Sequence, residues 1–183
     1  MNRGKRLLGA LALALAVAAT ALGSAQAAPA KAPKLNAAVL IHNAATGLCV
    51  DLPDLGPGEP DGPVNQWYCR PTGDNQYFTI QPSGSDADGK PFYRIVNTSD
   101  GLCLDLPYYD AQWPGTDVSE YHCLANDNQD WYLDPRPNDT VHIRNVKSTD
   151  QCLDVPGYGD GGPDARLGIY TCSDNDDHEW WFG

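Results

Sequence analysis

Six cysteines in three equally spaced pairs constrain the fold of this chain more than any other sequence feature. In each pair the second cysteine follows the first by 20 positions, and the pairs are Cys49 and Cys69, Cys103 and Cys123, and Cys152 and Cys172. Six cysteines allow fifteen sets of disulfides, but only bonding within each pair treats the three pairs alike. The spacing therefore predicts three similar units, each closed by one internal disulfide.

The residues around the cysteines repeat with them. Cys-Val-Asp-Leu-Pro at 49–53 matches Cys-Leu-Asp-Leu-Pro at 103–107 and Cys-Leu-Asp-Val-Pro at 152–156, and each copy follows a β-prone stretch that ends in asparagine. A period of roughly 50 residues is typical of repeat architectures. We expect units at about 38–82, 91–134 and 139–183, with the surplus length of the first in the Gly/Asp/Ser/Pro-rich turn near 81–91.

The pattern within each unit is that of short strands. Apolar or β-branched runs of four to six residues alternate with Gly/Pro/Asp loops, and no segment has a sustained helical period. In the first unit we predict strands near 39–42, 48–52, 64–69 and 78–81. Three units of four strands give an all-β, pseudo-threefold arrangement of twelve strands, and closing it removes exposed strand edges.

The N-terminal segment is typical of a secretory signal peptide. Basic residues at positions 3, 5 and 6 precede an apolar run at 7–22 and an Ala-Gln-Ala sequence at 25–27, the order of a cleavable signal. The run is shorter than the roughly 20 residues that a membrane-spanning helix needs. We expect residues 1–27 to be removed near Ala27, residues 28–37 to form a leader, and the domain at 38–183 to be secreted, where disulfides persist.

Charge and motifs limit the function. The net charge of −12 repels phosphate backbones and anionic lipids, so we expect neither a nucleic-acid partner nor membrane insertion. The His178-Glu179 pair lacks the second histidine of a zinc-protease motif, and the acidic turn at 86–89 lacks the later ligands of a calcium loop. The units fill the mature chain, so the sequence predicts a binding protein that is not an enzyme and uses no cofactor or metal.

The three units resemble those of the ricin-type β-trefoil lectins, a family also found as carbohydrate-binding modules of secreted enzymes. The family's unit carries Cys-Leu-Asp-Val, an aromatic residue two positions before the second cysteine, and a closing Asn-Gln-x-Trp. Here the aromatic residues are Trp67, Tyr121 and Tyr170, and the closing motifs occupy 75–78, 128–131 and 177–180. The resemblance covers the chain after residue 38. It implies a β-trefoil that binds galactose- or xylose-type sugars.

The resemblance also implies which residues bind sugar. A sugar needs a hydrogen-bond acceptor for its hydroxyls, a flat ring for its apolar face, and an amide. The candidates are Asp51, Asn65, Trp67 and Asn75 in the first unit, Asp105, Tyr121 and Asn128 in the second, and Asp154, Tyr170 and Asp177 in the third. Phe78 and His178 depart from the motif, and the family's glutamine two positions before the ring is Asn65, Ser119 and Gly168. We therefore expect the third site to bind less well than the first two.

Each candidate has a structural alternative. The aspartate after Cys-Leu could serve only its own turn, and the aromatic residue shares a strand face with the second cysteine and could belong to the core. In the closing motif we expect the Trp to pack in the core, the Gln to bond backbone, and the preceding Asn to contact the ligand. A rival function is a protein-binding trefoil, such as a protease inhibitor or toxin component, acting through loop 108–115.

Overall fold

The computed structural model of the protein describes Met1, residues 33–159 and residues 161–183. The predicted signal peptide beyond Met1, and leader residues 28–32, lie outside the described residues. Within the described part of the chain, no helix has the length and apolar character needed to cross a membrane.

The described chain folds into fifteen short strands and one 3-10 turn at Pro137–Asp139. The strands are β1 (Ala38–Val39), β2 (Ile41–Asn43), β3 (Cys49–Asp51), β4 (Gly62–Pro63), β5 (Asn65–Trp67), β6 (Phe78–Ser85), β7 (Pro91–Asn97), β8 (Cys103–Asp105), β9 (Thr116–Asp117), β10 (Ser119–Tyr121), β11 (Trp131–Pro135), β12 (Val141–Asn145), β13 (Gln151–Asp154), β14 (Gly168–Thr171) and β15 (Glu179–Phe182). Twelve of these are the predicted four per unit. The other three, β1, β4 and β9, are two-residue segments.

The first and last strands of the units close into a six-stranded barrel. Strand β7 pairs with β6 and β11, β12 pairs with β11 and β15, and β1 and β2 together pair with β6 and β15. Leu40 and Gly183 exchange backbone hydrogen bonds of 3.0 and 3.1 Å where the ring closes. Every barrel strand therefore has a neighbour on both sides, which removes the open edges.

The middle strands of each unit form a hairpin, and the three hairpins contact one another around the pseudo-threefold axis. The hairpins are β3–β5, β8–β10 and β13–β14. Strand β4 of the first unit pairs with β10 of the second, β9 of the second pairs with β14 of the third, and Asn65 forms a bridge with Arg166 of the third. The loop of each unit thus lies against the hairpin of the next.

The core is built from the closing motifs, as predicted. Phe78, Trp131 and Trp180 occupy equivalent positions and are fully buried. Trp131 and Trp180 each donate their indole N–H to a backbone carbonyl, Leu104 O at 3.3 Å and Leu153 O at 3.1 Å, so their polar atoms are satisfied inside the core. The prediction that this aromatic position packs in the core is confirmed, and the fold is a β-trefoil.

The asparagine that ends the first strand of each unit ties that unit to the one before it. The side-chain amides of Asn43, Asn97 and Asn145 each donate a 2.6 Å hydrogen bond to a backbone carbonyl of the preceding unit's closing motif, at Asp177, Asn75 and Asn128 respectively. All three asparagines are buried. A buried donor of this kind is costly to leave unpaired, which explains why this position repeats in the sequence.

The three predicted disulfides are present. Cys49–Cys69, Cys103–Cys123 and Cys152–Cys172 each join the two strands of one hairpin, with Cα–Cα distances of 5.0, 5.2 and 5.0 Å. Closing a loop of this length stabilises a domain by roughly 3 kcal/mol in the chain-entropy model. Each long loop is therefore pinned at the base of its hairpin.

Candidate functional site

Three clefts lie at equivalent places, one beside each hairpin. Cleft one is lined by Asp51 and Trp67, cleft two by Asp105 and Tyr121, and cleft three by Asp154 and Tyr170. Their volumes are about 400, 170 and 330 Å³ respectively. The predicted aspartate and aromatic side chains are therefore brought together in every unit.

Strand pairing explains why the carboxylate and the ring meet. In the first hairpin Cys49 pairs with Trp67 and Asp51 pairs with Asn65, so the aspartate and the ring lie close on neighbouring strands. Tyr170 is exposed, Trp67 and Tyr121 are half-buried, and all three rings border their clefts. The alternative that these rings belong to the core does not describe their position.

The glutamine of the closing motif orients the cleft carboxylate. Gln76 Oε1 accepts a 2.7 Å bond from the Arg70 backbone N–H, and its Nε2 donates to Tyr68 O at 3.1 Å. These are the predicted backbone bonds. The same Nε2 also donates to Asp51 Oδ1 at 2.8 Å. Sequence reasoning missed this second role, in which a buried amide fixes the direction of the carboxylate before any ligand arrives.

His178 reproduces two of these three bonds in the third unit, the one to a backbone N–H and the one to the cleft carboxylate. Its Nδ1 accepts a 3.0 Å bond from the Ser173 backbone N–H, so the proton of the neutral ring lies on Nε2. That N–H points to Asp154 Oδ1 at 2.9 Å. The histidine therefore replaces glutamine without loss of either contact. Asp154, Asp176, Asp177 and His178 lie close enough together to hold a metal ion, and in the structure His178 Nε2 is engaged with Asp154 Oδ1.

We expect the free energy of unfolding of His178→Gln to lie within about 1 kcal/mol of that of the wild type. The reason is that Gln76 makes the same two bonds in the first unit. His178→Ala should lower the free energy of unfolding by roughly 2–4 kcal/mol, since it leaves the Ser173 N–H and the buried Asp154 carboxylate without their partner. Urea unfolding of the oxidised protein measures both. Equal losses for the two variants would contradict the assigned role.

The three residues predicted to contact sugar through an amide or acid, Asn75, Asn128 and Asp177, lie beneath the loops and are fully buried. Asn75 Oδ1 accepts from the Leu52 N–H at 3.3 Å, and its Nδ2 donates to Gly56 O at 2.8 Å. Asn128 does the same for the second loop. In the structure these side chains set the shape of the loops, and a direct sugar contact by them stays a prediction.

Asp177 shows how the third loop adapts to an acid at this position. A carboxylate cannot donate, and here its oxygens accept from the backbone N–H groups of Val155 at 3.1 Å and Gly159 at 2.7 Å. Burial raises the pKa of Asp177 to about 6, and these two bonds act against the increase. The Val155 N–H matches those of Leu52 and Leu106 in the first two loops, and the third loop presents the Gly159 N–H where the first two present carbonyls.

Clefts two and three are each lined by two further aspartates that sequence reasoning did not select, and cleft one is lined by three, of which Asp54 comes from its own loop. Asp74, Asp127 and Asp176 precede the three closing motifs, line the clefts, and accept the backbone N–H of the next residue at 2.8–3.0 Å. The repeat itself carried a signal for them, because an aspartate stands before every closing motif. Asp164, Asp61 and Asp117 reach clefts one, two and three from a neighbouring unit.

The candidate residue Asn65 forms a hydrogen bond to Asp164, one of the aspartates that come from a neighbouring unit. Asn65 is buried, and its Nδ2 donates to Asp164 Oδ1 at 3.2 Å. It therefore holds the third unit's aspartate at the edge of cleft one. The equivalent positions, Ser119 and Gly168, have shorter side chains or none.

Burial dominates the electrostatics of the first two clefts. It raises the pKa of Asp51 to about 6 and the pKa of Asp105 to about 7, and the neighbouring aspartates add to both increases. The Gln76 amide, which donates to Asp51, and the Gln129 amide near Asp105 lower these pKa values in part. Both carboxylates are ionised at pH 8, and both lose charge as the pH falls through these values.

Solved structures with the same fold were found by comparison of coordinates. ThreeFoil, a designed threefold-symmetric protein, is 21% identical with a TM-score of 0.66, over 79% of this chain and 96% of its own. The ricin B-like lectin of Macrolepiota procera, in complex with lactose, is 19% identical with a TM-score of 0.62, over 83% and 98%. The C-half of the earthworm R-type lectin, in complex with GalNAc, is 15% identical with a TM-score of 0.58, over 79% and 96%.

A comparison with curated proteins gave no match. The model of one protein family, described as the ricin-type beta-trefoil lectin domain-like family, matches residues 31–119, 86–170 and 127–182. These overlapping matches span all three units. Together with the barrel, the hairpins and the buried closing motifs, they show that the chain belongs to the ricin-type β-trefoil lectin-like family.

Proposed function

We propose that this protein is a secreted lectin that binds carbohydrate through up to three shallow clefts and catalyses no reaction. One observation carries the proposal: in each unit a nearly buried carboxylate lies in the same cleft as a flat aromatic ring. Threefold recurrence of that pair would be an unusual outcome if the aspartate served only its own turn.

The chemistry of a sugar fits this arrangement. The ring covers the apolar C–H face of the pyranose, and the carboxylate accepts hydroxyl protons in charge-assisted hydrogen bonds. Gln76 and His178 hold the carboxylates of their clefts, so little orientational freedom is lost on binding. One such shallow cleft binds weakly, and joining several on a rigid frame raises avidity by roughly 10²–10⁴ on a ligand with repeated sugars.

The similar proteins support a galactose-type ligand, since the two lectin structures described above hold lactose and GalNAc. A xylose-type sugar is the second choice. The signal-like N-terminal segment and the three disulfides support secretion.

A second candidate function is protein binding through loop 108–115. Tyr108, Tyr109 and Trp113 expose large aromatic surfaces there, and exposed aromatic side chains are typical of binding hot spots. This candidate predicts that Trp113→Ala abolishes binding to a protein partner while substitutions of the cleft aspartates leave that binding unchanged.

Titration of Asp51→Ala, Asp105→Ala and Asp154→Ala against an oligosaccharide selected on a glycan array tests the lectin proposal. At pH 8, where Asp51 and Asp105 are ionised, we expect Asp51→Ala and Asp105→Ala each to weaken avidity about tenfold and Asp154→Ala to weaken it less. Asp139→Asn is the control, because it removes a charge from an exposed turn outside the clefts. Equal losses contradict the ranking, and no loss in any variant contradicts the proposal.

A further inference from the structure

Cleft two differs from the other two in the chemistry of its lining. The six residues that line it are three aspartates and three tyrosines, namely Asp61, Asp105, Asp127, Tyr108, Tyr109 and Tyr121. Its carboxylates come from two units, since Asp61 belongs to the first and the others to the second. Among these lining residues there is no basic side chain.

In each of the other clefts an arginine pairs with one of the lining aspartates. Arg70 lines cleft one and lies 3.4 Å from Asp74. Arg166 Nε lies 3.2 Å from Asp117, the aspartate that enters cleft three from the neighbouring unit. Cleft three, like cleft two, is lined by three aspartates and no arginine. Cleft two is the one in which none of the lining aspartates forms an ion pair with another described residue.

An unpartnered buried atom independently indicates a ligand here. Asp105 is only 5% exposed, and its Oδ1 has no hydrogen-bond partner among the described residues. Burying a carboxylate oxygen without a partner is unfavourable. Burial raises the pKa of Asp105 to about 7, the nearby Gln129 amide acts against the increase, and the charges of Asp127 and Asp61 add to it. A positively charged group in the cleft would relieve this cost.

The tyrosine rings suit the same kind of ligand. Tyr108 and Tyr109 are 82% and 61% exposed and stand at the rim beside the carboxylates. Tyr108 has a φ of 65°, a conformation that side chains rarely adopt, and Asn128 Nδ2 holds its carbonyl at 3.0 Å. An aromatic face attracts both a sugar C–H surface and a cation.

We propose that cleft two selects amino sugars, binding a free protonated amine in preference to its N-acetylated or hydroxyl counterpart. The inference rests on the proposed lectin function and names the ligand class of one cleft. The three carboxylates pair with the ammonium group while the tyrosines cover the ring. Asp61 is the specificity-determining residue, because it adds the third charge from another unit and is exposed to the cleft.

Calorimetric titration with matched sugars tests the inference. The probes are oligomers of glucosamine and of galactosamine, their N-acetylated forms, and the parent glucose and galactose oligomers, at pH 7.2, so that Asp105, with a pKa of about 7, is largely ionised while much of the amine is still protonated. We expect the wild type to bind a free-amine series at least tenfold more tightly than its N-acetylated form. Raising the salt concentration to 0.5 M should reduce that preference.

Asp61→Asn is the decisive variant. Asparagine accepts the positive φ of 65° at this position, so the charge is removed without strain, and the amine preference should fall to within about threefold. Asp139→Asn, which also replaces an exposed aspartate with φ near 61°, should keep the full preference. Retention of the preference in Asp61→Asn would overturn the role of that residue.

The remaining outcomes separate this inference from the lectin proposal. Equal affinity for amine and N-acetyl sugars overturns the inference and leaves the lectin proposal standing. No binding to any sugar of either series overturns both. Competition by tetramethylammonium at the same concentration as the amino sugar overturns selection of a sugar, because it assigns the cleft to cations in general.

Discussion

Replacing Trp180 by alanine is expected to lower the free energy of unfolding by about 3–5 kcal/mol. Its side chain is fully buried at the centre of the core, and its indole N–H is bonded to Leu153 O at 3.1 Å. The substitution opens a cavity that the rigid barrel cannot collapse to fill. Denaturant unfolding with the disulfides intact measures the loss.

The adjacent residue provides the control. Trp181 lies on the opposite face of β15, is 40% exposed, and stacks on the His42 ring with a centroid distance of 3.7 Å. Trp181→Ala should cost about 1 kcal/mol or less, since most of what it loses is surface contact. Similar losses for the two tryptophans would show that the closing motif is not the core anchor.

Replacing Glu120 by glutamine is expected to stabilise the protein on the order of 3 kcal/mol above pH 8. Glu120 is 1% exposed and packs against Gly58, where an added Cβ would lie 1.6 Å from its Oε1. Burial raises the pKa of Glu120 to about 8, and the charge of Asp100 adds to the increase. The equivalent buried residues in the other units are neutral, Gln66 and Ile169.

The sign follows from proton linkage. A carboxyl whose pKa is higher in the folded state favours folding while it is protonated, so its contribution is present below its unfolded pKa and is lost as the pH rises to about 8. The difference in unfolding free energy between Glu120→Gln and the wild type should therefore grow between pH 4.5 and 8 and then level off.

Urea unfolding of both proteins from pH 4 to 9 measures this change. Glu59→Gln removes the same charge from an exposed position on the loop that packs against Glu120, and it should show little of the pH dependence. A difference that does not change with pH would mean that Glu120 is not the buried acid described here.

Features within one hairpin were predictable from the sequence. Each disulfide, and each meeting of aspartate and ring, depends on residues of neighbouring strands in one unit, and repetition exposed the pattern three times. The core position of Trp131 and Trp180 followed from the same repeat. Local spacing is sufficient for such contacts because strand pairing fixes which side chains face one another.

Contacts between units were not predictable in this way. Asp61, Asp117 and Asp164 enter clefts that belong to other units, and β4 and β9 exist only because neighbouring hairpins dock. Nothing in the sequence indicated that His178 would keep two of the three bonds that Gln76 makes, since this depends on which ring nitrogen the Ser173 N–H meets. Burial of Asn75 likewise follows from the path of the loop above it.

Asp61, Asp117 and Asp164 each line the cleft of a neighbouring unit, so a complete cleft requires two adjacent units of the trefoil. Deleting the third unit would eliminate cleft three and also strip Asp164 from cleft one, leaving a single intact cleft from two remaining units. Loss of a unit during evolution would therefore remove more than one complete site. Selection for sugar binding at several sites would then also act to preserve the number of units.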